Sequence, residues 1–187
     1  MKINKRLNLA LPVERANGST IYVHSMPISE EIYDANFLLL SKVVSSMYRE
    51  GLAPGIAARN GLRMIRRVAI EMGVMEEVDR ELLQEIWRLT NVIADGKVTP
   101  FVIAENDPSI LDKEDAAEVK NFICFFTSAS WVHKRAELDE VLYPMLRDSG
   151  AQIVSLNSTE FMNSLTTSNV PGTTGASPPA IASSPPH

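Results

Sequence analysis

Residues 112–135 read DKEDAAEVKNFICFFTSASWVHKR, and the fold turns on them. Val119, Phe122, Ile123, Phe126 and Ala129 recur at the i, i+3, i+4, i+7 spacing of one helical face. Phe125, Trp131 and Val132 widen that face, so the spacing predicts a helix covered on more than one side. Asp112 is placed to cap the free N–H groups, and Glu114 and Asp115 put negative charge where the helix dipole favours it. His133, Lys134 and Arg135 supply the favourable sign at the other end. Burying one large aromatic contributes roughly 1.5–3 kcal/mol, so several in one helix make it the expected core. Packing accounts for this pattern. The alternative is a partly exposed aromatic groove for a partner, with Phe125 and Trp131 as its candidates because they lie off the main face.

The chain has 187 residues, is 45% hydrophobic and carries a net charge of −5. That is enough apolar material for a real core. The acidic balance argues against a general polyanion binder, although a local basic patch stays open. The lone Cys124 forbids an internal disulfide and fits a reducing compartment; inside an apolar helix it reads as a small buried hydrophobe. The N-terminus is too polar for a signal peptide, and no apolar run reaches the ~18–20 residues of a membrane span. The expected location is the cytoplasm. No GxxxxGK[ST], GxGxxG, GxSxG or HExxH motif occurs, and His24, His133 and His187 are scattered. The expectation is therefore no enzyme, no cofactor and no metal.

Outward from the central helix, residues 5–13 and 20–26 flank Asn17-Gly18, a strong hairpin signal. That hairpin needs a core or another strand to lie on, and its free edge is open to a partner's strand. Pro12 belongs at an edge or strand end, and His24 reads as a surface or packing histidine. Ser29 starts a helix that Gly51 ends, with Ile32, Tyr33, Phe37, Leu40, Val44, Met47 and Tyr48 at helical spacing. Glu30 and Glu31 suit its dipole. Pro54 opens a helix running to Met72, with Gly73 beyond it and Gly61 marking a close helix–helix approach. Arg59, Arg63, Arg66 and Arg67 form one stripe of that helix, suited to phosphates or an acidic partner. The competing reading is a solvated face paired with the acidic segment EEVDRELLQE that follows.

Residues 76–90 read as an acidic amphipathic helix, with Trp87 flanking its inner face. Val92-Ile93, the turn Asp95-Gly96 and the run Phe101-Val102-Ile103 predict a second short hairpin. After the central helix comes a shorter one that Pro144 divides, then an extended piece at 152–156 and a helix capped by Ser158 or Asn157. The predicted fold is mainly α (α+β): a helical bundle around a central aromatic-rich helix, with an N-terminal β-hairpin and a small second hairpin. Residues 1–165 form one domain. Residues 166–187, rich in Ser, Thr, Pro, Gly and Ala, are expected to be a disordered tail.

Two stretches carry a resemblance. One is the opening KINKRLNLALPVERANGSTIYVHSMPIS leading into EEIYDANFLLLSKVVSSMY; the other is AQIVSLNSTEFMNSLTTS, preceded by FFTSASWVHKRAEL. Together, over most of residues 3–168, they resemble tail assembly chaperones of long-tailed bacteriophages, which open on such a hairpin and close on a similar Ser-Leu-Asn-x-Thr-Glu-Phe segment. The resemblance implies a non-enzymatic protein that binds the tape measure protein, keeps it soluble and helps recruit tail tube subunits, in some cases through a longer frameshifted form. It implies action in the bacterial host cytoplasm and absence from the mature virion; self-association is a further expectation. It assigns no residue roles. Phe125 and Trp131 for an apolar client, and Arg59, Arg63, Arg66 and Arg67 for its acidic faces, are physical candidates. The alternative is a nucleic-acid-associated regulator using the Arg59 to Arg67 face, whose binding would weaken steeply with salt.

Overall fold

The computed structural model describes residues 8–15, 17–132, 143 and 146–167. Two hairpins share one sheet. Strands β1 (Asn8–Glu14), β2 (Thr20–Ser25), β3 (Thr90–Ala94), β4 (Lys97–Pro100) and β5 (Gln152–Val154) form five antiparallel strands in the order β4-β3-β2-β1-β5. The register sets Leu11 opposite Val23 and Val23 opposite Val92. Period-two alternation then sends Leu9, Leu11, Ile21, Val23 and Val92 to one face and Ala10, Tyr22 and Ile93 to the other. Gly18 turns the first hairpin at φ 79°. Asp95 and Gly96 turn the second at φ 51° and 71°, the left-handed pair that matches strand twist.

The edge expected to be free is taken: β2 pairs with β3, and β1 pairs with β5 through Asn8, Leu9 and Ala10. That second ladder stops two residues short of Pro12, which has no N–H to extend it. The second hairpin is also corrected. Its return strand is Lys97–Pro100, and Phe101–Ala104 is a short helix. Pro100 ends the strand, and Phe101 turns inward, fully buried.

Helix α1 (Glu30–Arg49) starts on Ser29, whose hydroxyl accepts from Ile32 N. The single helix expected from Pro54 to Met72 is two, α2 (Pro54–Ala58) and α3 (Gly61–Met72), broken at Asn60. Gly73 closes α3 at φ 73°. The acidic segment is helical as α4 (Met75–Glu77), a π-helical stretch (Val78–Leu83) and α5 (Gln84–Arg88). Its inner residues Val78, Leu82, Leu83 and Ile86 are buried. After α6 (Phe101–Ala104) comes the central helix α7 (Lys113–Val132), capped by Asp112 Oδ1, which accepts from Glu114 N and Asp115 N. Gly61 lies where α3 presses on α7. A Cβ there would overlap Asn121 O and come within 2.9 Å of Phe125 Cβ. The last helix, α8 (Ser158–Thr167), packs Phe161 on the sheet face opposite the helical core. The sheet is thus held between the bundle and α8.

The protein is a mainly helical α+β fold around α7, as the spacing predicts. Helix α8 includes Thr166 and Thr167, so order extends past the expected boundary. The rest of the predicted tail, and His133 to Arg135, lie outside the described residues.

Candidate functional site

The positions named for partner binding separate into inside and outside. Phe125 is 1% exposed and packs in the main core beneath Gly61, so it lines no open groove. The spacing put it off the main face, but α3 covers that flank. Trp131 is partly buried near the end of α7 and stacks on Tyr33 of α1, with ring centroids 4.6 Å apart and planes at 15°. Phe37 meets Tyr33 edge-on at 5.9 Å. Phe37 and its neighbour Leu38 are 52% and 58% exposed. Phe37 shares the helical spacing of Leu40, Val44 and Met47, yet the buried apolar face of α1 is Leu39, Leu40, Val43, Val44 and Met47. The outcome is an aromatic ridge, Trp131–Tyr33–Phe37, with exposed Leu38 next to Phe37 in the chain.

The arginine stripe is partly spent within the molecule. Arg66 faces Asp79 of the acidic segment at 3.5 Å. Arg67 pairs with Glu50 at the end of α1 and with Glu71 at 3.7 Å. Its hydrogen bond to Glu50 raises the guanidinium pKa and lowers the carboxyl pKa. Among the described residues, Arg63 reaches only Asn60 Oδ1, at 3.4 Å, and Arg59 makes no ion pair. The four arginines are therefore not one continuous basic face.

The first half of α7 separates two grooves of opposite charge. One, about 550 Å³, has a floor of buried Leu11, Ala58, Val119 and Phe122, with exposed Ile56 at its mouth. Around it stand Glu14, Asp115, Glu118 and Asp148, with Arg59 as a cation in its lining. Asp148 pairs with Arg147 at 2.8 Å; Glu14, Asp115 and Glu118 carry no ion pair among the described residues. Burial first, then the charges of Asp112, Glu118 and Glu114, push the Asp115 carboxyl above its ordinary value. The other groove, about 400 Å³, is lined by Leu62, Arg63, Arg66, Trp87, Lys113, Lys120 and Asn121. There Lys120 pairs with Glu105 and lies 5.7 Å from the Trp87 ring centroid.

Sequence reasoning missed a buried polar cluster under α8. His24, 0% exposed, is 3.0 Å from Leu156 O through Nε2 and 3.0 Å from Ser158 Oγ through Nδ1. Asn91 Nδ2 donates to Ser158 Oγ at 3.2 Å, and Asn8 Nδ2 donates to Leu156 O at 2.8 Å. A neutral ring protonated on Nε2 satisfies every partner. A serine against a histidine invites a nucleophile–base reading. Here the far nitrogen meets a carbonyl and both side chains are buried, so the pair locks α8 to the sheet. Burial lowers the His24 pKa and pushes the Cys124 thiol up.

Among the described residues, no group of three or more His, Cys, Asp or Glu side chains is placed to hold a metal ion. No helix among them is long and apolar enough to cross a membrane. Compared with family models, curated proteins and solved structures, the chain matches none.

Proposed function

We propose that the protein is a tail assembly chaperone of the kind its sequence resembles, holding an amphipathic helical segment of the tape measure protein against the α1 ridge. The observation that carries this reading is the pair Phe37 and Leu38, 52% and 58% exposed beside the Tyr33–Trp131 stack. A contiguous apolar ridge of this kind suits the apolar stripe of another helix, and such docking needs no bond chemistry. In this reading the protein acts in the host cytoplasm while the tail is built. A longer frameshifted form would bring tail tube subunits to the covered client.

The test is co-expression of the tape measure protein with the wild-type chain and with the double variant F37S/L38S. Both substituted positions are exposed, so the variant keeps its fold by circular dichroism. The wild type is expected to keep the client soluble and to co-purify with it, and the variant to leave it in the pellet. A client equally soluble with the folded variant, or with no chaperone present, overturns the proposal.

A further inference from the structure

We infer that the acidic groove beside α7 is a second docking site, separate from the α1 ridge, for a protein segment carrying an aliphatic or aromatic anchor flanked by lysine or arginine. Its volume, about 550 Å³, lies in the range of sites that swallow a whole ligand group. The buried floor of Leu11, Val119 and Phe122 suits an apolar side chain. The wall chooses the flanks. Glu14, Asp115 and Glu118 carry no ion pair among the described residues, and Asp115 is held in a field of neighbouring acids. A cation seated there relieves that repulsion, whereas an acidic segment adds to it. The opposite flank of α7 presents Arg63, Arg66, Lys113 and Lys120, so the same basic segment is turned away on that side. No residue of α1 lines the acidic groove, so this site stands or falls independently of the tape measure reading.

The experiment uses the full chain and a labelled leucine–lysine peptide of helical spacing, about 18 residues long, read by fluorescence anisotropy. Two counterparts replace its lysines by glutamate or its leucines by serine. The leucine–lysine peptide is expected to bind, and both counterparts to bind at least about tenfold more weakly. Charge reversal in E118K/D148K is expected to weaken binding about tenfold, since several rim pairs turn from attractive to repulsive. Ile56→Ser at the exposed mouth reads the same site without a charge change and is expected to weaken binding several-fold. The control E30K/E31K alters the overall charge equally at positions that do not line the groove, and F37S/L38S removes the ridge; both should bind as wild type. Equal loss in E30K/E31K would mean general attraction to an acidic protein. Equal binding of the glutamate peptide, unchanged affinity in both groove variants, or loss confined to F37S/L38S would each overturn the inference.

Discussion

His24 and Ser158 lie 134 positions apart in sequence and 3.0 Å apart in space. Their contact joins the middle of the sheet to the first turn of α8. The imidazole donates to Leu156 O through Nε2 and accepts from the Ser158 hydroxyl through Nδ1, an arrangement that requires the neutral ring. The polar partners Asn8, Asn91 and Ser158 are uncharged.

A pH dependence follows from that neutrality. Burial lowers the folded-state pKa of His24 below 6.5, so the unfolded chain takes up the proton first as pH falls. Stability from this site is complete above pH 6.5 and is lost as pH drops from there through the folded pKa. Urea midpoints of the wild type should therefore fall across that window. His24→Gln, which retains His133 and His187, should show a flatter profile. Parallel profiles for the two proteins would contradict it.

The cap of α8 is a second point of attack. Asn157 Oδ1 accepts from Glu160 N at 3.0 Å, and Glu160 Oε2 accepts from Asn157 N at 2.9 Å. Asn157→Ala removes the side-chain half of this reciprocal cap, at a cost of about 1 kcal/mol. Amide exchange in residues 158–167 should accelerate more than in α7, because α8 rests on one face of the sheet whereas α7 is enclosed.

Gly61→Ala sets helix propensity against space. Gly61 is the first residue of α3, so alanine gains at most about 1 kcal/mol of helix propensity over glycine there. The new methyl would overlap the backbone at Asn121 and Phe125, which cannot swing away as a side-chain tip does. Overpacking of about 1–3 kcal/mol or more outweighs the gain, so the variant should unfold at lower urea than wild type. A rise in the midpoint would show that α3 shifts without strain.

The sequence made the elements more legible than their faces. The ends of α1 were plain because Ser29 and Gly51 carry local signals. Its phase was not, because residues 38–44 read LLLSKVV and an apolar run that wide fits several stripes. The break at Asn60 also had a local sign, the Asn-Gly pair, but the helical period of the arginines ran across it. Pro100 marked the end of β4, yet the β-prone run after it looked like more strand. The His24–Ser158 contact had no local sign, since only the sheet and its last helix bring those residues together. The candidate site was half visible. Trp131 reached the ridge, whereas Phe125 was claimed by α3, a choice decided by Gly61 on another helix.

Phe125 and Phe37 offer the sharpest contrast of inside against outside. Phe125 is 1% exposed at the α3–α7 contact, so Phe125→Ala leaves a cavity there and should cost about 3–5 kcal/mol. Phe37 is 52% exposed and meets Tyr33 edge-on, so Phe37→Ala should change stability by about 0.5 kcal/mol or less. If the α1 ridge binds an apolar client, the functional effects run the other way. Phe37→Ala should release client from a fully folded protein. Phe125→Ala should release it only to the extent that it unfolds the chain. Urea titration and client pull-down on the same two preparations measure both axes. Coincident losses of stability and binding in Phe37→Ala would show that this side chain supports the fold.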